Sequence, residues 1–247
     1  MQVLGDLVAD AREREGALFR AAERSAPYSY ADFATNVWKT GNLLRHYGVR
    51  EGARVAVVAG PKDPDEGDEP GWLGPEPTPL QVFLGAALDG AVVDLNPPGA
   101  VDAKAFVAPA AWLDRYERGP GTKTLAYGGP AEDPTVAQLE REAWSENPLQ
   151  PPGDVAPDDD ALAADELYTH GELLAASRRV VADHDLDEDD AVAIRAPVTG
   201  AGAVVAGLLA PMRVGATVVL GDEAEGTVAV AAGDAPEGRT IDPASVL

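Results

Sequence analysis

Apolar positions along this chain follow two spacings, one typical of amphipathic helices and one typical of buried strands. Segment 31–47 has a helical spacing of apolar side chains and is predicted to be a long amphipathic helix, with Phe33, Val37, Leu43 and Leu44 on one face. Gly48 follows this segment, and glycine readily adopts the left-handed conformation that ends many helices. The run Arg54–Ala59 lacks polar interruptions after its first residue, which is typical of a strand buried on both faces.

Helical and strand-like segments continue to alternate along the rest of the chain. Helices are predicted at 4–14, 80–88, 110–116, 135–144, 172–183 and 202–212. Strands are predicted at 17–20, 28–30, 91–95, 105–108, 123–126, 191–195, 216–220 and 227–231. Strands joined through helices form crossover units, so the pattern predicts an α/β fold with a layered, mostly parallel sheet and flanking helices.

Two segments interrupt this alternation. Segment 62–79 is rich in proline, glycine and acidic residues, has no periodicity and is predicted to be a loop. Segment 147–160 concentrates proline and aspartate, a composition typical of a boundary. We therefore predict an N-terminal α/β subregion at 1–150 and a second α/β subregion of the same domain at 151–247.

Charge is the dominant feature of the composition. The chain has 42 acidic and 19 basic residues, which gives a formal net charge of −23. Self-repulsion at this charge destabilises a compact state, and molar salt reduces the Debye length to about 3 Å and screens that repulsion. We therefore predict an acidic, salt-adapted (halophilic) protein, and we exclude a nucleic-acid partner because the phosphate backbone is also negative.

Other features of the composition concern the cellular compartment. Cysteine is absent, which excludes disulfides, thiolate metal sites and a cysteine nucleophile. No apolar run approaches the roughly 20 residues that a membrane-spanning helix needs. The first ten residues lack the basic region of a signal peptide. We expect a cytoplasmic protein without a membrane partner.

Candidate ligand-binding residues occur at one strand-to-helix turn, at Thr199, Gly200 and Gly202. The two glycines follow a predicted strand and open a helix, as in a dinucleotide fingerprint, but the next glycine, Gly207, comes two positions too late. The turn would lie beyond the carboxyl end of its strand, where α/β sheets bind ligands.

No other segment of the chain predicts a catalytic residue, a metal site or a cofactor site. The histidines lack zinc-ligand spacing. The acidic run 183–190 lacks the glycine and glutamate positions of an EF-hand, and is predicted to be a solvated loop.

Several stretches, taken in order, resemble motifs of the AMP-forming acyl-CoA synthetases, the family of adenylate-forming ligases. They are Tyr28–Phe33 with Tyr47–Val58, then Val82–Pro97, and finally Tyr168–Leu174 with Pro211–Leu220. The resemblance implies the layered α/β fold of the family's large N-terminal domain, over about the first half of a full-length member.

The same resemblance implies that the ATP site is not intact. The family has a Ser/Thr/Gly-rich loop ending in lysine, which holds the triphosphate, just before its Thr-His motif. Here that place is occupied by Asp158–Tyr168, which contains neither glycine, serine nor lysine and is rich in carboxylates. The family's downstream half contains an adenine motif, a ribose-binding aspartate and a catalytic lysine. None of these has a counterpart in residues 1–247.

The expected function is therefore that of a pseudoenzyme: an acyl-CoA synthetase-like protein that is non-catalytic and binds or regulates a partner, as a homodimer or with another protein. One alternative is a module that binds a small acyl-CoA, adenylate or nucleotide ligand near Thr199–Gly202. Another is one half of a two-chain ligase. Fold resemblance by itself does not choose among them.

Overall fold

The computed structural model describes residues 1–23, 25–65, 67–221 and 225–247. The helices are α1 Leu4–Arg12, α2 Tyr30–His46, α3 Thr78–Ala87, α4 Leu139–Trp144, α5 His170–Asp183, α6 Ala201–Val204 and α7 Ala210–Val214. A π-helical segment, Val205–Leu209, joins α6 to α7, and short 3-10 helices lie at Ala110–Arg115 and Pro243–Ser245. Among the described residues, no helix is both long and apolar enough to span a membrane.

The strands are short and alternate with the helices. They are β1 Ala17–Ala21, β2 Tyr28–Ser29, β3 Arg54–Val57, β4 Val92–Asp94, β5 Ala100–Val101, β6 Ala105–Pro109, β7 Glu117–Arg118, β8 Lys123–Tyr127, β9 Ala137–Gln138, β10 Asp160–Ala163, β11 Leu167–Thr169, β12 Ala191–Ile194, β13 Thr217–Leu220, β14 Val228–Val230 and β15 Arg239–Ile241.

These strands form two main sheets. The first sheet has the order β11-β10-β4-β3-β6-β8-β9, the second has the order β15-β14-β12-β13-β1-β2, and β5 pairs with β7 separately. Within the two sheets, pairing is parallel except at β10–β11 and β1–β2. The predicted α/β class, with mostly parallel strands and flanking helices, is confirmed.

The two sheets cross the predicted boundary at residue 150 in both directions. Strand β1 pairs with β13 of the C-terminal part, with Phe19 opposite Val218. Strand β10 pairs with β4 of the N-terminal part, with Leu162 opposite Val93. A linear division of the chain therefore does not correspond to a division between the sheets.

Helices α2 and α3 pack closely in the core that the two sheets share. A Cβ atom on Gly41 would lie 2.8 Å from the carbonyl oxygen of Gly85, so the two backbones can approach this closely only because both residues are glycine. Val37, Leu44 and Phe83 are fully buried in this core. A smaller cluster around Trp112 covers the opposite face of the first sheet.

Several local predictions were wrong because pairing with distant strands overrides local spacing. The helix predicted at 110–116 forms, as a 3-10 helix at Ala110–Arg115. The helix predicted at 135–144 is replaced at its start by strand β9, because Ala137 pairs with Leu125. Strands β10 and β11 lie at and just after the end of the predicted boundary segment 147–160, and β15 lies near the C-terminal end of the sequence, in both cases where no strand was predicted.

Candidate functional site

A cleft with a volume of about 670 Å³ opens between the two sheets. It lies beyond the carboxyl ends of β4 and β10 in the first sheet and of β12 and β14 in the second. Much of its wall is alanine, glycine and proline, and its side chains with polar groups are Asp94, Asn96, Asp165, Tyr168 and Thr199. Ligands of parallel sheets bind at such carboxyl-end crevices.

The predicted residues Thr199, Gly200 and Gly202 all line this cleft. Strand β12 ends at Ile194, and Gly200 is the N-cap of α6, so the turn faces the cleft where the strand ends. A Cβ on Gly202 would lie 1.9 Å from the carbonyl oxygen of Pro243, whereas one on Gly200 would meet no atom within 4 Å. Gly202 is thus required by packing, and Gly200 borders open space.

The loop predicted at 62–79 holds the turn at Thr199 in position. The N–H of Gly71 donates to the carbonyl oxygen of Ala59 at 2.8 Å, and its own carbonyl accepts from the N–H of Val198 at 2.8 Å. Gly71 has φ +111°, and a Cβ there would lie 2.7 Å from Cγ2 of Thr199. A single glycine therefore connects the segment that follows β3 to the cleft wall of the second sheet, and the composition of the loop could not reveal this connection.

The opposite wall is the hairpin β10–β11. Its strands pair from Asp160 with Thr169 to Ala163 with Leu167, and Ala164, Asp165 and Glu166 make the connection. The N–H of Ala164 donates to the carbonyl oxygen of Glu166 at 2.9 Å, which closes the turn.

Tyr168 connects this hairpin turn to the cleft. Its hydroxyl donates to Oδ1 of Asp165 at 3.0 Å. Burial, with a further contribution from the hydrogen bond to Asp165, raises the pKa of Tyr168 to about 12. The phenol therefore remains neutral at neutral pH and acts as a hydrogen-bond donor.

The charged side chains in the cleft wall are all acidic. Asp94 ends β4, and one of its oxygens, Oδ1, accepts from the N–H of Asn96 at 2.8 Å. Asp165 is exposed at the hairpin turn. Among the described residues that line the cleft, none is lysine, arginine or histidine. The sequence showed the acids of the hairpin but not that Asp94 lies on the same cleft.

His170, one of the histidines without metal-ligand spacing, lies outside the cleft lining. Its side chain is fully buried, and Nδ1 accepts from the N–H of Leu4 at 3.2 Å. Nε2 has no hydrogen-bond partner among the described residues, and burial lowers the pKa of His170 to about 4. His170 is therefore a neutral residue that joins α5 to the start of α1.

Comparison with known proteins rests on three-dimensional structure. No protein-family model and no curated protein matches the sequence. The crystal structure of the anthranilate CoA ligase AuaEII in complex with anthranoyl-AMP matches with a TM-score of 0.71 and 14% identity, over 90% of this chain and 45% of that chain. A benzoate CoA ligase from Burkholderia xenovorans LB400 matches with a TM-score of 0.69 and 16% identity, over 93% and 50%.

The N-terminal domain of FACL13 from Mycobacterium tuberculosis also matches, with a TM-score of 0.64 and 14% identity, over 91% of this chain and 58% of that chain. This chain has the fold of the N-terminal domain of acyl-CoA and aryl-CoA ligases. It spans about half the length of the ligase structures that it matches. At these identities the likeness establishes the fold and carries no activity with it.

Proposed function

We propose that this ligase-like chain is non-catalytic, that it does not hold the triphosphate of ATP, and that its cleft binds a small ligand. The observation that carries the proposal is the closed hairpin β10–β11 at the cleft wall. In the family that the sequence resembles, a loop that holds the triphosphate precedes the Thr-His motif, which is Thr169-His170 in this chain.

Binding of a triphosphate by a loop requires several backbone N–H groups that converge on the phosphates. The hairpin turn consists only of Ala164, Asp165 and Glu166, and the N–H of Ala164 is already used within the turn. The other two residues add carboxylates, and like charges 4 Å apart repel by roughly 1–4 kcal/mol at effective dielectric constants of 80 to 20. These features argue against an ATP-phosphate site.

Binding of a small ligand is supported by the cleft itself. Its volume of about 670 Å³ lies within the range of small-molecule sites, roughly 300–1,000 Å³. Thr199 contributes a hydroxyl group, and Gly200 leaves space beside it. We propose that Thr199, Gly200 and Gly202 contact the ligand.

The absence of ATP chemistry is tested on the purified chain in molar KCl. We expect no heat on titration with magnesium–ATP and no ATP–pyrophosphate exchange. Exchange by the chain alone would contradict the proposal, because it requires both a triphosphate site and adenylate formation.

The ligand site is tested by filling it. Gly200 has φ −96° and ψ 142°, which any residue adopts, so Gly200→Leu should place its side chain in the cleft without strain. Gly238→Leu is the matched control, because a Cβ at Gly238 also meets no atom within 4 Å and Gly238 lies outside the cleft lining. Small probes seen by ligand-observed NMR should bind the wild type and the control, and lose binding to Gly200→Leu.

A partner-binding role is the second candidate, and exposed apolar side chains favour it. Trp144 is 81% exposed and Leu149 is 63% exposed. Both residues lie beside α2: Nζ of Lys39 lies 5.2 Å from the Trp144 ring centroid, and the side-chain amide of Asn42 donates to the backbone carbonyl oxygen of Leu149 at 2.8 Å. Aromatic side chains are enriched at protein interfaces, and exposed apolar patches mark interaction sites.

Scattering in molar KCl tests this second role. Formation of a dimer that Trp144→Ser together with Leu149→Ser converts to monomer would support it. A monomer at all concentrations would exclude the homodimer. A partner role would then require another protein, and that protein should bind the same double variant more weakly than the wild type.

A further inference from the structure

We propose that the cleft selects a ligand with a positively charged amino group and an apolar body, and rejects carboxylates and phosphates of the same size. This inference rests on the proposed ligand-binding function of the cleft. The juxtaposition that carries it is the placement of Asp94 and Asp165 on the wall of one cleft that has no basic side chain among its described lining residues.

Both carboxylates come from neighbouring strand ends of the first sheet. Asp94, the last residue of β4, is in register with Ala163, the last residue of β10, and Asp165 follows two residues later. Each has one oxygen occupied, Asp94 by the N–H of Asn96 and Asp165 by the hydroxyl of Tyr168.

The second oxygen of each carboxylate, Oδ2, accepts no hydrogen bond from the residues that the structure describes. An ammonium group carries up to three donors and no acceptor. It can therefore donate to the open acceptor position of either carboxylate.

No basic side chain lines the cleft to balance the two acids, among the described residues. The arginine next to the lining residue Ala196 is Arg195, and its Nη2 lies 2.6 Å from Oε1 of Glu237, whose side chain is fully buried. Arg195 does not itself line the cleft, and this ion pair balances its charge against Glu237. A ligand carboxylate would meet two like charges and would be repelled by both.

The remainder of the wall suits an apolar ligand body. Alanines at positions 164, 196, 201 and 203 line the cleft together with Pro197. None of these side chains has a polar group that a ligand would have to satisfy, so burial of apolar ligand surface against them is favourable and costs no desolvation of these side chains. The amino group then determines orientation, as a small number of polar groups does in most ligand sites.

The test uses probes of matched shape and different charge: benzylamine, benzyl alcohol and benzoate, at neutral pH. Dissociation constants are measured by NMR titration with the wild type, with Asp94→Asn and with Asp165→Asn. Asp114→Asn serves as control, since Asp114 is an exposed acid outside the cleft lining.

We expect benzylamine to bind at least tenfold more tightly than benzoate, with the alcohol between them. Each variant in the cleft should reduce this ratio severalfold, and the control should leave it unchanged. Asp165 lies on an exposed turn, so Asp165→Asn keeps the test valid if Asp94→Asn fails to fold.

Equal or tighter binding of benzoate, blocked by Gly200→Leu, would overturn the charge selection and leave the ligand-binding function standing. Charge preference that persists in both cleft variants would also overturn it, because the preference would then come from the net charge of the chain. Binding of no probe, or binding insensitive to Gly200→Leu, would remove the proposed function and this inference together.

Discussion

Glycines that are neighbours in sequence have different roles at the residue scale. Gly202 is packed against the carbonyl oxygen of Pro243, and Gly200 borders the empty cleft. Both appeared in the sequence as one Gly-Ala-Gly turn. Because a short turn has no periodicity and its neighbours come from the distant C-terminal segment, only the folded chain distinguishes a packing glycine from one that faces a site.

This difference predicts opposite results for two alanine substitutions. Gly202→Ala should destabilise the fold by about 1–3 kcal/mol, because its Cβ would lie 1.9 Å from the Pro243 oxygen and the chain must shift. Gly200→Ala should change the free energy of unfolding by less than about 0.5 kcal/mol. Urea denaturation in molar KCl measures both, and equal losses would show that the packing of Gly202 is not what matters.

His170 predicts a dependence of stability on pH. Burial lowers its pKa to about 4 from an ordinary value of 6.5, so the unfolded chain binds the extra proton between these values and the fold does not. The stabilisation is therefore complete above pH 6.5 and is lost as the pH falls towards 4. The loss is at most roughly 3 kcal/mol.

The control variant for this prediction is His170→Asn. Its side-chain oxygen can replace Nδ1 as acceptor for the N–H of Leu4 and does not titrate. Denaturation midpoints between pH 4 and 7 should fall more steeply for the wild type than for this variant. Parallel curves would contradict the assignment, since carboxylate titrations are common to both proteins.

At the scale of elements, local pattern predicted most helices and central strands but not the hairpin β10–β11. Alternation and helical spacing are properties of consecutive residues, so α2 and β3 could be identified from sequence. The hairpin lies in an acidic segment, and its first strand begins with Asp160, a residue type that is depleted in strands. It forms because Leu162 pairs with Val93 of β4, a contact between residues far apart in the chain.

The loop anchored at Gly71 gives a prediction at this scale. Gly71→Ala should destabilise the fold by about 1–3 kcal/mol and speed amide exchange at Val198, whose N–H donates to the Gly71 carbonyl. Gly67→Ala is the matched control: Gly67 has φ +108°, close to the +111° of Gly71, but a Cβ there meets no atom within 4 Å. Equal losses of stability would mean that the cost of a side chain at positive φ, and not the contact with Thr199, causes the effect of Gly71→Ala.

At the scale of the whole molecule, the net charge of −23 is expected to oppose the compact state in dilute buffer. Some of the basic residues are used in buried ion pairs, such as Arg45 with Asp89 at 2.7 Å, and do not offset the surface charge. Repulsion among the remaining acids opposes the compact state, and salt screens that repulsion.

We therefore predict that the midpoint of thermal unfolding rises from low to molar KCl. Measurement in sodium chloride and in potassium chloride at equal ionic strength separates screening from ion-specific effects. Higher stability at low salt would show that the acidic composition is not an adaptation to salt.

The sequence by itself determined the α/β class, the main helices, the central strands and the position of the turn at Thr199–Gly202, because these depend on the spacing and chemistry of consecutive residues. Tertiary structure alone decided that β1 joins β13, that β10 joins β4, and that Asp94, Asp165 and Thr199 line one cleft. The physical reason is that strand order depends on pairing energies between distant segments, and a cleft exists only once strands from both sheets end at the same place.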